Sequence, residues 1–162
     1  MLQYQHMNKK VAKKIGEAYA FAQVLQDTYQ SNESVMKDLF GLHAEGINKT
    51  VEAQIAALHA VSEETEMTEV VVPKAERTGG KISKMADMYV GDEWDNPVEV
   101  LEWMSFFVGG AIVHWQLIAG SGEAMGHEGL HELASNGVQY YSDLMEQLRK
   151  YAVEVGKDRA LG

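Results

Sequence analysis

Asn96-Pro97-Val98-Glu99 opens the stretch whose reading decides the fold, and Ala124-Met125-Gly126-His127-Glu128 closes it. Asparagine can cap a helix, proline suits a first turn whose N–H has no partner, and glutamate three residues on reaches back to the cap. Gly126 is a natural helix C-cap, so the sequence predicts a helix C over about 97–125. Between these signals, Trp103 to Gly122 carries no formal charge. Two stripes are apolar at helical spacing: Val98, Leu101, Val108, Ile112, Trp115, Ala119, and Val100, Met104, Phe107, Ala111, His114, Ile118. A helix apolar on two sides is either central to its fold or shared with a second subunit, which predicts a homodimer through helix C. Wrapping of helix C within one subunit, by the connection that precedes it, is the alternative. The uncharged run is close to a bilayer span in length. However, it holds Ser105, His114, Gln116 and Ser121, is bordered by Glu102 and Glu123, and has no flanking Lys or Arg, which favours a buried helix and no membrane partner.

Outward from helix C, the longest regular stripe is Leu130, Leu133, Gly137, Tyr141, Leu144, Leu148, Tyr151 and Val155, a helix D over about 128–156. Upstream, Tyr4, Met7, Val11, Ile15, Ala18, Ala22, Leu25 and Tyr29 define helix A over about 4–30. After the capping residues Ser31-Asn32-Glu33-Ser34, the series Met36, Phe40, His43, Ile47, Val51, Gln54, Leu58 and Val61 defines helix B over about 33–62. The acidic run Glu63-Glu64-Thr65-Glu66, the β-favouring Val70-Val71-Val72, Pro73 and Gly79-Gly80 then read as a long connection over about 63–95, holding at most a short helix from Ser83 to Tyr89.

Composition narrows the function classes. A chain of 162 residues with 46% hydrophobic residues and two prolines fits one ordered domain, 1–162. Zero cysteines exclude disulfides, thiolate nucleophiles and Cys-ligated metals, so any metal would be held by His, Asp or Glu. A net charge of −10 disfavours nucleic acid as a partner; the one basic cluster, Lys9, Lys10, Lys13 and Lys14, reads as a solvated helix face. The start, Met1-Leu2-Gln3-Tyr4-Gln5-His6, lacks the basic and apolar blocks of a signal peptide, and a cytoplasmic protein is the expectation.

Helix A, short turn, B, long crossover, C, short turn and D make the all-α, ferritin-like connectivity of a four-helix bundle. The resemblance has further support in Val113 to Leu148, with His114, Trp115 and the Ala124-to-Glu128 turn, which is similar to the second helical pair of the small YciE/YciF-type members of the ferritin-like superfamily. Helix B around Asp38-Leu39-Phe40 and His43-Ala44-Glu45 is similar too. The resemblance implies the fold. Diiron members use a Glu from each of two helices and Glu-x-x-His from each of the others. Here Phe40 precedes His43 where Glu would stand, Val108 and Ala111 are apolar, and Asn136, Gln139 and Tyr140 occupy the helix D positions. The ligand set does not carry over.

His127-Glu128-Gly129-Leu130-His131 spells H-E-x-x-H, the zincin pattern. A zincin needs both histidines within a regular helix and a third ligand beyond, yet this string starts in a turn, Gly129 weakens the helix, and no later His exists. With turns near residues 31 and 126, counting 1.5 Å per residue brings the start of A, the end of B and the C–D turn to one level. His6, His59, Glu123, His127, Glu128 and His131 then share that level, either as separate surface histidines or as a metal site whose candidate ligands are His59, His127, Glu128 and His131; Glu17, His43 and Glu45 make a weaker half-site. His43 and His114, on apolar stripes, read as buried hydrogen-bonded histidines. Trp94, Trp103, Phe106, Phe107 and Trp115 read as core or subunit interface, with a ligand pocket as the lesser reading. The expectation is a non-catalytic structural or binding protein with an unidentified small-molecule ligand and no cofactor. The alternative is a metal-dependent enzyme using iron, manganese or zinc, either a divergent diiron oxidase or a mononuclear site near the C–D turn.

Overall fold

Helical periodicity dominates the chain, and the computed structural model, which describes residues 6–162, is all-α, with no strand among the described residues. α1 (Lys9–Ser31) begins at Asn8, whose side chain accepts a hydrogen bond from the Val11 N–H at 3.1 Å. The expected start of helix A at Tyr4 lies outside the described residues. Ile15, Ala18, Ala22, Leu25 and Tyr29 of the anticipated stripe are buried.

Helix B is not continuous over 33–62. α2 (Glu33–Phe40) stops at Gly41, whose φ of 56° suits glycine and strains other residues; a tight 3-10 segment, Gly41–Gly46, follows before α3 (Ile47–Glu64). The break changes the phase of the stripe, so Ala44 is buried while His43, expected on the apolar face, is exposed. α2 packs across α5 and α6 rather than extending α3 along α1.

The larger correction concerns 63–95, which is no open connection: α4 (Thr68–Tyr89) fills most of it. Pro73 is its sixth residue and removes one helical hydrogen bond, and Gly79-Gly80 lowers its propensity further. Tertiary burial overrides both. Val71, Ala75, Ile82 and Ala86 recur at helical spacing and are buried, largely against α1. Gly16 makes that approach possible, since a Cβ there would stand 2.7 Å from the Val71 carbonyl oxygen and 2.9 Å from Lys74 Cβ.

α5 (Pro97–Met125) and α6 (Glu128–Leu161) start where the capping signals lie. The Asn96 side chain accepts from the Val98 N–H at 3.2 Å, and Gly126 ends α5 at a left-handed φ of 68°. α6 runs past the expected 156. Both apolar stripes of α5 turn largely inward, whereas a third face is open: Phe106 is 61% exposed, Val113 58% and Leu117 48%. By length and composition α5 is long and apolar enough to cross a membrane, a test that the core helix of a soluble protein also passes.

Specific contacts fix the directions. Gln26 and Gln30 of α1 reach Glu52 and Asn48 of α3, so those helices are antiparallel. Glu17 and Phe21 meet His114 and Phe107, making α1 and α5 antiparallel as well. Gly16 and Gly79 lie against Val71 and Ala20, so α4 runs parallel to α1. α6 closes the ring against α5 and α3, where the Tyr141 hydroxyl donates to Gln54 Oε1 at 3.2 Å inside the core.

Candidate functional site: a groove between α1, α4 and α5

The direction of α4 brings its Lys74 beside Glu17 of α1, and the antiparallel α5 adds His114. Glu17 Oε2 accepts from Lys14 Nζ at 2.9 Å and faces His114 Nε2 at 3.0 Å, while Oε1 lies 3.5 Å from Lys74 Nζ. The other His114 nitrogen, Nδ1, donates to the Gly110 carbonyl at 2.7 Å. Both ring nitrogens thus face oxygen acceptors, one a carboxylate and one a backbone carbonyl. Burial pushes the Glu17 carboxyl up, but the Lys14 hydrogen bond and the charges of Lys14, His114 and Lys74 outweigh it and hold Glu17 below the usual carboxylate range.

This cluster ends a groove of about 320 Å³ whose walls are mostly apolar: Phe21 from α1, Ile82 and Met85 from α4, Trp103, Phe106 and Phe107 from α5. Gly110 leaves room for Phe21, since a Cβ there would come within 3.3 Å of its ring. A second depression of about 310 Å³ shares Met85, Trp103 and Phe106 and continues to Met88 and Tyr89. The Tyr89 hydroxyl, donating to Glu102 Oε2 at 3.0 Å, stands at that end. The groove is therefore amphipathic along its length, charged at one end and apolar at the other.

No protein-family model, curated protein or solved structure matches the chain. The site must be read from its own residues.

The H-E-x-x-H string resolves into helix-capping. His127 precedes α6 and its Nδ1 accepts from the Leu130 N–H at 3.0 Å, while its Nε2 lies 3.5 Å from Glu64 at the end of α3. His131 donates from Nδ1 to the Ala119 carbonyl at 3.0 Å. Glu128 and His131 do share an open depression of about 370 Å³ with Glu123 and Glu132. His59 is not in its lining; it pairs with Glu63 at 3.1 Å on α3. Among the described residues no three His, Asp or Glu side chains are grouped so as to hold a metal ion.

Glu17, His43 and Glu45 do not come together. The Gln26–Glu52 and Gln30–Asn48 pairs set a register that puts Glu17 level with Val61, roughly 25–30 Å along the axis from His43, because the 33–46 segment crosses the bundle end instead of descending beside α1. His43 and Glu45 are exposed there. Of the aromatic set, Trp115 is core, packed on Gly137; Trp103, Phe106 and Phe107 line the groove; Trp94 lies near the α1–α2 turn. The sequence reading missed Lys74, Ile82 and Met85 because it took their segment for a connection. The signal was present in the Val71, Ala75, Ile82, Ala86 spacing.

Proposed function

We propose that this chain is a non-catalytic binding protein on a ferritin-like four-helix scaffold, with α1, α2–α3, α5 and α6 as the four helices and α4 as a crossover that has itself become helical. The parallel run of α3 and α5, both antiparallel to α1, supports that connectivity. The observation that carries the binding reading is the groove between α1, α4 and α5, an apolar channel ending on the Glu17–His114–Lys74 cluster. A cytoplasmic location and pairing of two chains through α5 belong to the same proposal. Exposed Val113 and Leu117, on a helix uncharged from Trp103 to Gly122 in a chain of net charge −10, support the pairing.

A neutral, environment-sensitive dye tests the groove. We expect one dye per chain, lost in Met85→Asp and retained in Leu42→Asp, which alters an exposed leucine outside the lining. Equal binding by both variants would sink the assignment. Stoichiometric iron, manganese or zinc in protein purified without a histidine tag, lost on changing His59 and His131 to Ala, would overturn the non-catalytic reading.

A further inference from the structure

We propose that the groove selects a long-chain organic anion, a carboxylate-headed alkyl or similarly slender molecule, with its head at Lys74, the charge of Lys81 assisting from farther along the same wall, and its tail along Met85, Trp103 and Phe106 toward Met88. This rests on the binding-protein reading above. Two observations carry it: the charge at one end and the length of the apolar channel.

The chain as a whole is strongly acidic, yet the charged end of the groove reverses that sign. Lys74 lines it, Lys14 adjoins it, and Lys81 lines the same wall seven residues, about 10 Å, further along α4, against the single carboxylate of Glu17. Lys81 makes no ion pair among the described residues. An incoming amine would have to displace Lys14, Lys74 or His114 from Glu17, whereas an anion meets Lys81 and the outer side of Lys74 without breaking a contact. Charge complementarity therefore favours an acid over a base.

The two depressions share three residues and form one channel. From Lys74 to Met88 along α4 it extends about 21 Å at 1.5 Å per residue. An extended alkyl chain advances roughly 1.3 Å per methylene, given carbon–carbon bonds near 1.5 Å, so the channel accommodates about sixteen carbons. A compact ligand would leave most of the apolar wall bare.

The full chain, stripped of lipid on a hydrophobic resin, is titrated calorimetrically with n-alkyl carboxylates of eight to twenty carbons, and with the alcohols and amines of equal length. We expect affinity to rise up to about fourfold per added methylene and to level off near sixteen carbons. Carboxylates should exceed alcohols by about tenfold, with amines weakest. Lys81→Met, at an exposed position, should narrow the advantage of each carboxylate over the alcohol of equal length; Lys74→Met should narrow it further. Equal binding of acid and alcohol, or a preference for amines, overturns the anion assignment while the binding reading stands. Failure of every probe overturns both. So does a dimer in sedimentation that binds nothing and dissociates on Phe106→Asp, because the groove would then be the seat of a second copy.

Discussion

Replacing Gly16 with alanine tests the contact on which the groove depends. The new methyl would stand 2.7 Å from the Val71 carbonyl oxygen and 2.9 Å from Lys74 Cβ, both closer than van der Waals contact allows. Neither obstacle is a flexible chain end, so α4 itself must move away from α1. Overpacking of this kind costs about 1–3 kcal/mol, and rigid backbone on the far side argues for the upper half of that range. Alanine recovers about 1 kcal/mol of helix propensity over glycine. The net expectation is a loss of about 1–2 kcal/mol. Gly80→Ala is the control: it lies on exposed α4 surface with nothing within 4 Å of its Cβ position, and should gain about 0.5–1 kcal/mol. Urea unfolding followed by circular dichroism should move the two midpoints in opposite directions at constant slope. If Gly16→Ala is as stabilising as Gly80→Ala, α4 does not rest on α1 as described, and the groove loses its wall.

Four further outcomes follow from the same structure. Tyr141→Phe should cost about 1–3 kcal/mol by leaving Gln54 buried and unpaired, and combining it with Gln54→Leu should recover much of that loss in thermal unfolding. Glu17, held below its ordinary 4.5, contributes stability present above pH 4.5 and lost as pH falls through its lowered value, so Glu17→Gln should flatten the acid limb of the midpoint–pH curve; burial raises Tyr140 to about 12, so stability should fall as pH rises from 10 toward 12, and less steeply in Tyr140→Phe. His127→Ala should cost about 1 kcal/mol and His127→Asn restore it, because an N-cap needs only a short acceptor; a metal ligand would not be rescued by Asn, and rescue failing would refute the capping role.

Helices α1, α5 and α6 were legible because local signals and burial agree in them. Asn96-Pro97 at one end and Gly126 at the other act through the backbone, and the apolar stripes between them face one core. In α4 the two levels conflict. Val70-Val71-Val72, Pro73 and Gly79-Gly80 each argue locally against a helix, and what stabilises it is the α1 surface around Gly16, forty or more residues away in sequence. The break at Gly41 was hidden for the opposite reason. The apolar spacing from Met36 to Val61 reads as continuous through it although the 3-10 segment shifts the buried position from His43 to Ala44, and one glycine in a regular pattern does not announce a positive φ.

Those two errors account for what happened to the candidate sites. Treating 33–62 as one straight helix put Glu17 beside His43, and a segment folded across the bundle end moves that level by about five turns along α3. Treating 63–95 as a connection removed Lys74 and Met85 from consideration. Corrected for both, the chain's acid–base groups sort by their partners. His127 and His131 bond backbone groups, one as acceptor and one as donor, which commits a ring nitrogen of each to the α5–α6 turn. His114 combines a backbone anchor with a carboxylate at an accessible groove end, and the charge of Glu17 is favoured by Lys14, His114 and Lys74. A carboxylate so well neutralised is a poor general base and a poor metal ligand, because both roles need a lone pair that Lys14, Lys74 and His114 already occupy. Its effect is to fix Lys74 and His114 in position at the end of an apolar channel, which is what a binding site requires of its charged end.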